Sequence, residues 1–334
     1  MAIIRDMIPA FDLFQPTTVD DALALLDEHR GQAWVIAGGL DSYDWFKDRI
    51  KRPAAVVDLV NVDELKGVRT TPDGVEIGAL TTLTNVADHP ELTADYSVLT
   101  DAASHIATPQ IRNRGTLGGN LSQDTRCWYY RGGWPCYRAG GNTCYASAPT
   151  AMNREHCISG SSRCVAVNPS DSASALIALD AKFVIRGSRG ERVVDAQDYF
   201  MRPSVDIERM TILKPGELLT TIRIPSTWAR ATFYYEKIED RKSWDFALMT
   251  IASAIRMSGG VIQDVRLAVN GVAPFPVRLE KAEQVVRGRT PSDDLGMEAG
   301  TVATEGAQPL RHNAYKIDLM RNLVRRAIRN SAEA

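Results

Sequence analysis

The chain has 334 residues, of which 44% are hydrophobic and 24% charged, and its formal net charge is −2. That is enough chain for two or three subdomains around a sizeable core, and so balanced a charge gives no general pull toward nucleic acid or an anionic membrane. No apolar run reaches the roughly eighteen residues of a membrane helix, and the opening MAIIRDMIPAFDLFQP carries Asp6 and Pro9 where a secretory signal would be apolar. The expected address is cytoplasmic, with export alongside a signal-bearing partner left open.

In chain order, residues 18–29 (TVDDALALLDEH) show helical spacing, with Thr18 as the cap and acids in the first turn. AWVIAGG then reads as a short strand running into a glycine turn, AAVVDL (54–59) as a second strand, and GVEIGAL (74–80) as a third after the turn TPDG. TTLTNVADH (81–89) and YSVLTDAASHIAT (96–108) read as helices. Residues 128–162 have no period and are rich in Gly, Arg, Tyr, Trp and Ser; a loop this long in a compact domain is functional or disordered, and its aromatics argue against disorder. Helix and strand signals resume at VAVNPSDSASALIALDAKFVIRG, followed by the strands KPGELLTTIRIP (214–225) and ATFYYEKIE. FALMTIASAIRM is expected to be a long apolar helix, VRLAVNGVA a strand and YKIDLMRNLVRRAIRN the final helix. Interleaved strands and helices make an α+β or α/β pattern, with a boundary expected near Trp228.

All five cysteines, Cys127, Cys136, Cys144, Cys157 and Cys164, fall in the unpatterned stretch, separated by 8, 7, 12 and 6 residues. None of these spacings fits a zinc ribbon, a zinc finger or a small-ferredoxin run, and a disulfide framework suits small oxidised domains. Four thiolates on a long loop suit either zinc or an iron–sulfur cluster, and spacing alone does not choose. Arg126, Arg131, Arg138, Arg154 and Arg163 share the loop, where cations would offset an anionic cluster or simply face solvent. With five cysteines for four positions, one is spare.

No G-x-G-x-x-G follows a strand, so a Rossmann site is not indicated. Two paired glycines stand out instead: Ala37-Gly38-Gly39-Leu40-Asp41-Ser42 after strand AWVI, and Thr116-Leu117-Gly118-Gly119-Asn120 ahead of the cysteine loop. Such pairs let a backbone approach a diphosphate and turn amides toward it, or they serve as tight turns.

These motifs resemble those of the FAD-carrying medium subunits of the xanthine dehydrogenase and carbon monoxide dehydrogenase family. AGGLDSYDWFK resembles its pyrophosphate loop and QIRNRGTLGGNL its second FAD motif. NPSDSASAL resembles its Ser-Asp element, and KPGELLTTIRIP with FYYEKIEDRKSWDFALMTIASAI its segments over the isoalloxazine end. The matches occur in the family's order and span nearly the whole chain. The resemblance implies an α+β fold: a two-part FAD-binding domain of the PCMH or vanillyl-alcohol-oxidase-like type (1–62 and 63–227) and a C-terminal CO dehydrogenase flavoprotein-like domain (228–334). It implies FAD contacts from Ala37, Gly38, Gly39, Leu40, Asp41 and Ser42 at the diphosphate, and from Ile111, Thr116, Gly119 and Asn120 at flavin and phosphate. Ser170, Asp171, Leu218, Leu219 and Lys237 complete the set, with Lys237 near the flavin's polar edge. Leu40 departs from the pattern, standing where the family usually has threonine.

The insertion at about 122–164 resembles that of 4-hydroxybenzoyl-CoA reductase β subunits and of bacterial aldehyde oxidoreductase FAD subunits with an extra [4Fe–4S] cluster. Matching outward from TRC and C-x7-C implies Cys127, Cys136, Cys144 and Cys164 as ligands and Cys157 as the spare, a swap of the last two staying open. By resemblance the chain relays electrons in a heteromeric molybdenum hydroxylase. Its partners would be a large molybdenum-cofactor subunit, a small [2Fe–2S] subunit and a redox partner such as ferredoxin, in a dimer of heterotrimers. Rival readings are a free-standing FAD oxidase with a structural zinc loop and a metal-binding scaffold without flavin.

Overall fold

The computed structural model describes residues 8–332; Asp6, used against a secretory signal, lies outside them. Thr18 caps the first helix, α1 (Val19–Glu28), its hydroxyl accepting from Asp21 N at 3.1 Å. Val19, Ala22, Leu23 and Leu26 bury the opposite face against Val57 and Leu59. Strands β1 (Asp12–Phe14), β2 (Ala33–Ile36) and β3 (Ala55–Asp58) form a small parallel sheet in the order β1-β3-β2. From β2 the chain enters the first glycine loop and then helix α2 (Ser42–Lys47), whose Trp45 and Phe46 are fully buried.

A second sheet is antiparallel. Strands β4 (Val68–Thr71), β5 (Gly74–Gly78), β6 (Lys182–Gly187), β7 (Gly190–Asp195) and β8 (Glu217–Pro225) lie in the order β4-β5-β8-β6-β7. Helix α3 (Leu83–Ala87), α4 (Pro90–Asp95) and α5 (Ser97–Ser104) contribute Leu83, Leu92 and Leu99 to its core. Two one-turn elements follow, α6 (Pro109–Arg112) and α7 (Leu117–Ser122). The chain then makes the long excursion that sequence marks as unpatterned, with a single α-helical turn, α8 (Trp128–Arg131), before α9 (Asp171–Ala178) returns it to the core.

The third sheet corrects one expectation. FALMTIASAIRM is not a helix: Met249–Ser258 is a strand, β10, paired between β9 (Thr232–Ile238) and β11 (Val261–Asn270), with β12 (Val277–Arg278) at the edge. The cause is burial on both faces. Met249, Ile251 and Ile255 pack toward the C-terminal helices α10 (Glu280–Val286), α11 (Asp293–Ala303) and α12 (Tyr315–Asn330). Ala252 and Ala254 pack toward α5 and α9 in the core of the second sheet. A strand apolar on both faces carries no alternation, and its sequence is indistinguishable from a buried helix. Polar contacts reinforce the seam: Trp228 Nε1 and Arg266 Nε donate to the two oxygens of Asp180 at 2.9 and 2.8 Å.

Candidate functional site

One large cavity, of about 480 Å³, opens between the first two sheets and the segment that joins β9 to β10, a size within the range of cofactor pockets. Its walls include both glycine loops, Leu218 and Leu219 of β8, and the segment Trp244-Asp245-Phe246 between β9 and β10. The two glycine pairs do different work. In the first, Gly39 is left-handed (φ +79°), and a Cβ on Gly38 would lie 2.2 Å from the Arg114 carbonyl oxygen. The missing side chain therefore lets this loop rest on the backbone just before the second loop. The amides of Gly38, Gly39, Leu40 and Asp41 donate to no acceptor among the described residues, which leaves a row of N–H groups at the cavity wall.

The second pair spends its amides inside the protein. Gly118 N donates to Ala79 O at 2.8 Å and Gly119 N to Thr116 Oγ1 at 3.1 Å. A Cβ on Gly118 would also meet Ala79 Cβ at 2.7 Å. Of the two readings open for such pairs, the first pair leaves its amides free of protein acceptors among the described residues, and the second is a packing turn that delivers side chains. Asn120 illustrates this: its Oδ1 accepts from Ser170 Oγ at 2.7 Å and Ser172 Oγ at 2.6 Å. Its Nδ2 has no bonded partner among the described residues.

Asp41 lines the cavity, and its carboxylate is taken up by donors of the protein itself. It accepts from Trp45 Nε1 (3.1 Å), Arg126 (2.9 Å) and Arg131. That is electrostatically sensible, since a free carboxylate would repel a phosphate. Asp171 also lines the cavity, paired with Lys237 at 2.9 Å. Lys237 Nζ also meets Glu239 at 3.1 Å and the carbonyl oxygens of His105 (2.9 Å) and Asp245 (2.8 Å). Burial works against its charge, but Asp171 and then Glu239 outweigh it and hold its pKa above the ordinary lysine value.

A second, much smaller cavity of about 20 Å³ lies in the excursion, lined by Cys127, Cys136, Cys144 and Cys164 with Tyr129, Tyr130, Arg138, Tyr145, Ala146 and Ala166. Cys157 is buried outside it, its N–H donating to Val165 O at 2.9 Å. Among the described residues no three His, Cys, Asp or Glu side chains are grouped to hold a metal ion. The donor set is soft, and burial pushes the Cys127 thiol up to about 11. His156 Nε2 lies 3.3 Å from Cys127 Sγ. The loop is held to the first sheet by Tyr130 and Cys136 packing on Trp45, Phe46 and Ile36.

Comparison with known proteins gives this geometry a family. Residues 9–227 match the family described as FAD binding domain in molybdopterin dehydrogenase, and residues 233–331 the CO dehydrogenase flavoprotein C-terminal domain. The chain belongs to the molybdopterin dehydrogenase flavoprotein family. It is 29% identical to the carbon monoxide dehydrogenase medium chain of Hydrogenophaga pseudoflava over 96% of both chains. It is 35% identical to the aldehyde oxidoreductase FAD-binding subunit PaoB of Escherichia coli K12, over 74% of this chain and 77% of that one. A solved carbon monoxide dehydrogenase from Hydrogenophaga pseudoflava superposes with a TM-score of 0.77 at 28% identity, covering 98% of both chains. The fold is accordingly the FAD-binding domain plus the flavoprotein C-terminal domain of this family, and the chain is an FAD-binding oxidoreductase subunit.

Against that family pattern, Ala37, Gly38, Gly39, Leu40, Asp41, Ser42, Ile111, Thr116, Gly119, Asn120, Asp171, Leu218 and Leu219 all line the large cavity. Ser170 and Lys237 do not: Ser170 is a buried support for Asn120, and Lys237 is enclosed by its carboxylates. Sequence reasoning missed Trp34, Arg126, Trp244 and Phe246, which also line it. Arg126 stacks on Phe246 at 4.5 Å, a contact between segments far apart in sequence that no local signal announces. Among the described residues no helix is long and apolar enough to cross a membrane.

Proposed function

We propose that the chain is the FAD- and [4Fe–4S]-carrying electron-transfer subunit of a heteromeric molybdenum hydroxylase, standing between a small [2Fe–2S] subunit and an external partner such as a ferredoxin. The large molybdenum-cofactor subunit would carry the substrate chemistry, and the assembly would be a dimer of heterotrimers. The observation that carries the reading is adjacency. Arg126 lines the large cavity and its neighbour Cys127 the thiol cavity, so one stretch of backbone serves both. FAD would supply one- and two-electron redox chemistry, and a cluster single-electron transfer.

The chain's own residues bind and orient. The amides of residues 38–41 take the diphosphate, Asn120 Nδ2 and Thr116 donate beside it, and Ile111, Leu218 and Leu219 keep water from the ring system. Asp171, held in place by Lys237, takes a hydroxyl or amino group. Cys127, Cys136, Cys144 and Cys164 hold the cluster. The four thiols line one small cavity, and such soft donors suit a multi-iron centre as they do a zinc ion. Trp134, 46% exposed, covers the cavity residues Tyr129 and Tyr145, which leaves the thiols close to solvent and to an external partner. The proposed divisions are 1–62, 63–227 and 228–334.

The test is anaerobic purification with metal and flavin analysis. A brown protein with one flavin and about four irons per chain is expected, inactive toward substrates without its partner subunits. Zinc in place of iron would remove the cluster and favour the structural-zinc alternative. Flavin-free protein that cannot be reconstituted with FAD would remove the cavity assignment.

A further inference from the structure

A cluster held by four thiolates is anionic, and an anion enclosed by Tyr129, Tyr130, Tyr145 and Ala146 needs a fixed counter-charge nearby. The loop offers five arginines, and four are committed elsewhere or lie outside. Arg126 and Arg131 pair with Asp41 beside the large cavity. Arg154 forms an exposed bidentate pair with Asp240, and Arg163 lies exposed over the Tyr137 ring.

Arg138 differs from all of them. It lines the thiol cavity and is only 5% exposed. Its NH1 donates to Ile207 O at 2.7 Å and its NH2 to Asp124 at 3.0 Å, two bonds that fix the guanidinium plane. Its Nε–H is buried without an acceptor among the described residues, as is that of Arg126, which lines the other cavity. A buried guanidinium N–H is rarely left idle, because an unmet charged donor costs more than a neutral one. Asp124 also faces Lys51 at 3.5 Å, so one carboxylate answers two cations and net positive charge remains beside the sulfurs.

We propose that Arg138 is a positioning residue that holds its Nε–H and its charge against the thiolate-bound cluster and thereby raises the cluster's reduction potential. The inference rests on the cluster reading above and goes beyond it by naming the group that tunes the centre. One-electron reduction makes the cluster more negative, and a fixed cation stabilises the reduced state more than the oxidised one.

The test is a potentiometric titration of the anaerobically purified full chain, followed by EPR of the reduced cluster, for wild type, Arg138→Gln and Arg154→Gln. Arg138→Gln is expected to keep wild-type iron and flavin while its one-electron reduction becomes at least tenfold less favourable, a midpoint about 59 mV lower. Arg154→Gln is expected to leave the midpoint unchanged. Full iron content with an unchanged midpoint in Arg138→Gln overturns the proposal. Should Arg138→Gln fail to fold or load, wild-type protein labelled with ¹⁵N-arginine decides. A ¹⁵N coupling in the electron spin-echo envelope of the reduced cluster supports the assignment, and its absence overturns it. Wild type that binds no iron defeats the cluster reading itself, and this proposal with it, a result distinguishable from a loaded protein whose potential ignores Arg138.

Discussion

Leu40 puts a branched apolar side chain, 41% exposed, on the wall of a cavity assigned to a diphosphate. Nothing in the fold requires it, and a hydroxyl at the same position would add a donor beside the free amides. Leu40→Thr is therefore expected to tighten FAD binding by about 1 kcal/mol, roughly fivefold in Kd, measured by fluorescence titration of deflavinated protein. An unchanged Kd would mean that residue 40 faces away from the phosphates. Gly38 is the opposite case. A methyl group there meets the Arg114 carbonyl at 2.2 Å, and backbone cannot swing aside as a side-chain tip can. Gly38→Ala is expected to cost about 1–3 kcal/mol of stability by overpacking and to lower flavin content, since the two glycine loops must part to admit it. Retention of wild-type flavin and melting temperature would sink that account. The sequence could mark both residues as special through the motif they share, but the reason at Gly38 was not legible, because its neighbour is Arg114, far along the chain.

Legibility at the scale of elements followed the same line. The Thr18 cap, the strand before the first glycine loop and the amphipathic final helix were readable because each is specified by near neighbours. Strand β10 was not, because what makes it a strand is the pair of layers on its two faces. The cysteine excursion was legible as a functional loop, yet not what holds it in place. The structure answers with Asn313, fully buried ahead of α12: its Nδ2 donates to the carbonyls of His156 (2.9 Å) and Cys157 (3.0 Å), and its Oδ1 accepts from Leu310 N at 2.6 Å. Asn313→Ala strands two buried carbonyls and the half-buried Leu310 amide, so a loss of about 2–4 kcal/mol is expected, with protease cutting between Ser147 and Arg163 appearing early. Asp240→Asn breaks the Arg154 pair, which is half exposed on both sides, and is expected to change stability by less than about 1 kcal/mol. Equal effects of the two substitutions in urea unfolding would show that the surface pair, and not the buried amide, anchors the loop.

At the scale of the whole molecule, Lys316 joins three parts that lie far apart in sequence. From α12, wholly buried, its ammonium donates to Glu155 O of the cysteine excursion at 2.9 Å and to Gly271 O, after β11, at 2.7 Å. Burial lowers its pKa from 10.5 to about 8, with Cys157 and Glu155 only partly opposing the shift. The sign of the linkage follows. An unfolded chain holds this proton up to about pH 10.5, whereas the folded one releases it near 8, so between those values the unfolded state binds more protons and folding gains stability as pH rises. Below pH 8 both states are protonated, and the cost of enclosing the charge is constant. A depression of this size corresponds to about 3 kcal/mol. Other lysines, tyrosines and thiols titrate in the same window, so the comparison must be with Lys316→Met, which shares them. The difference in unfolding free energy between wild type and Lys316→Met is expected to be flat from pH 6 to 7.5 and then to move in favour of wild type by up to about 3 kcal/mol as pH approaches 10.5. A difference independent of pH would mean that Lys316 keeps its proton in the folded protein, and that the two carbonyls, with Glu155 beside them, stabilise the charge as well as water does.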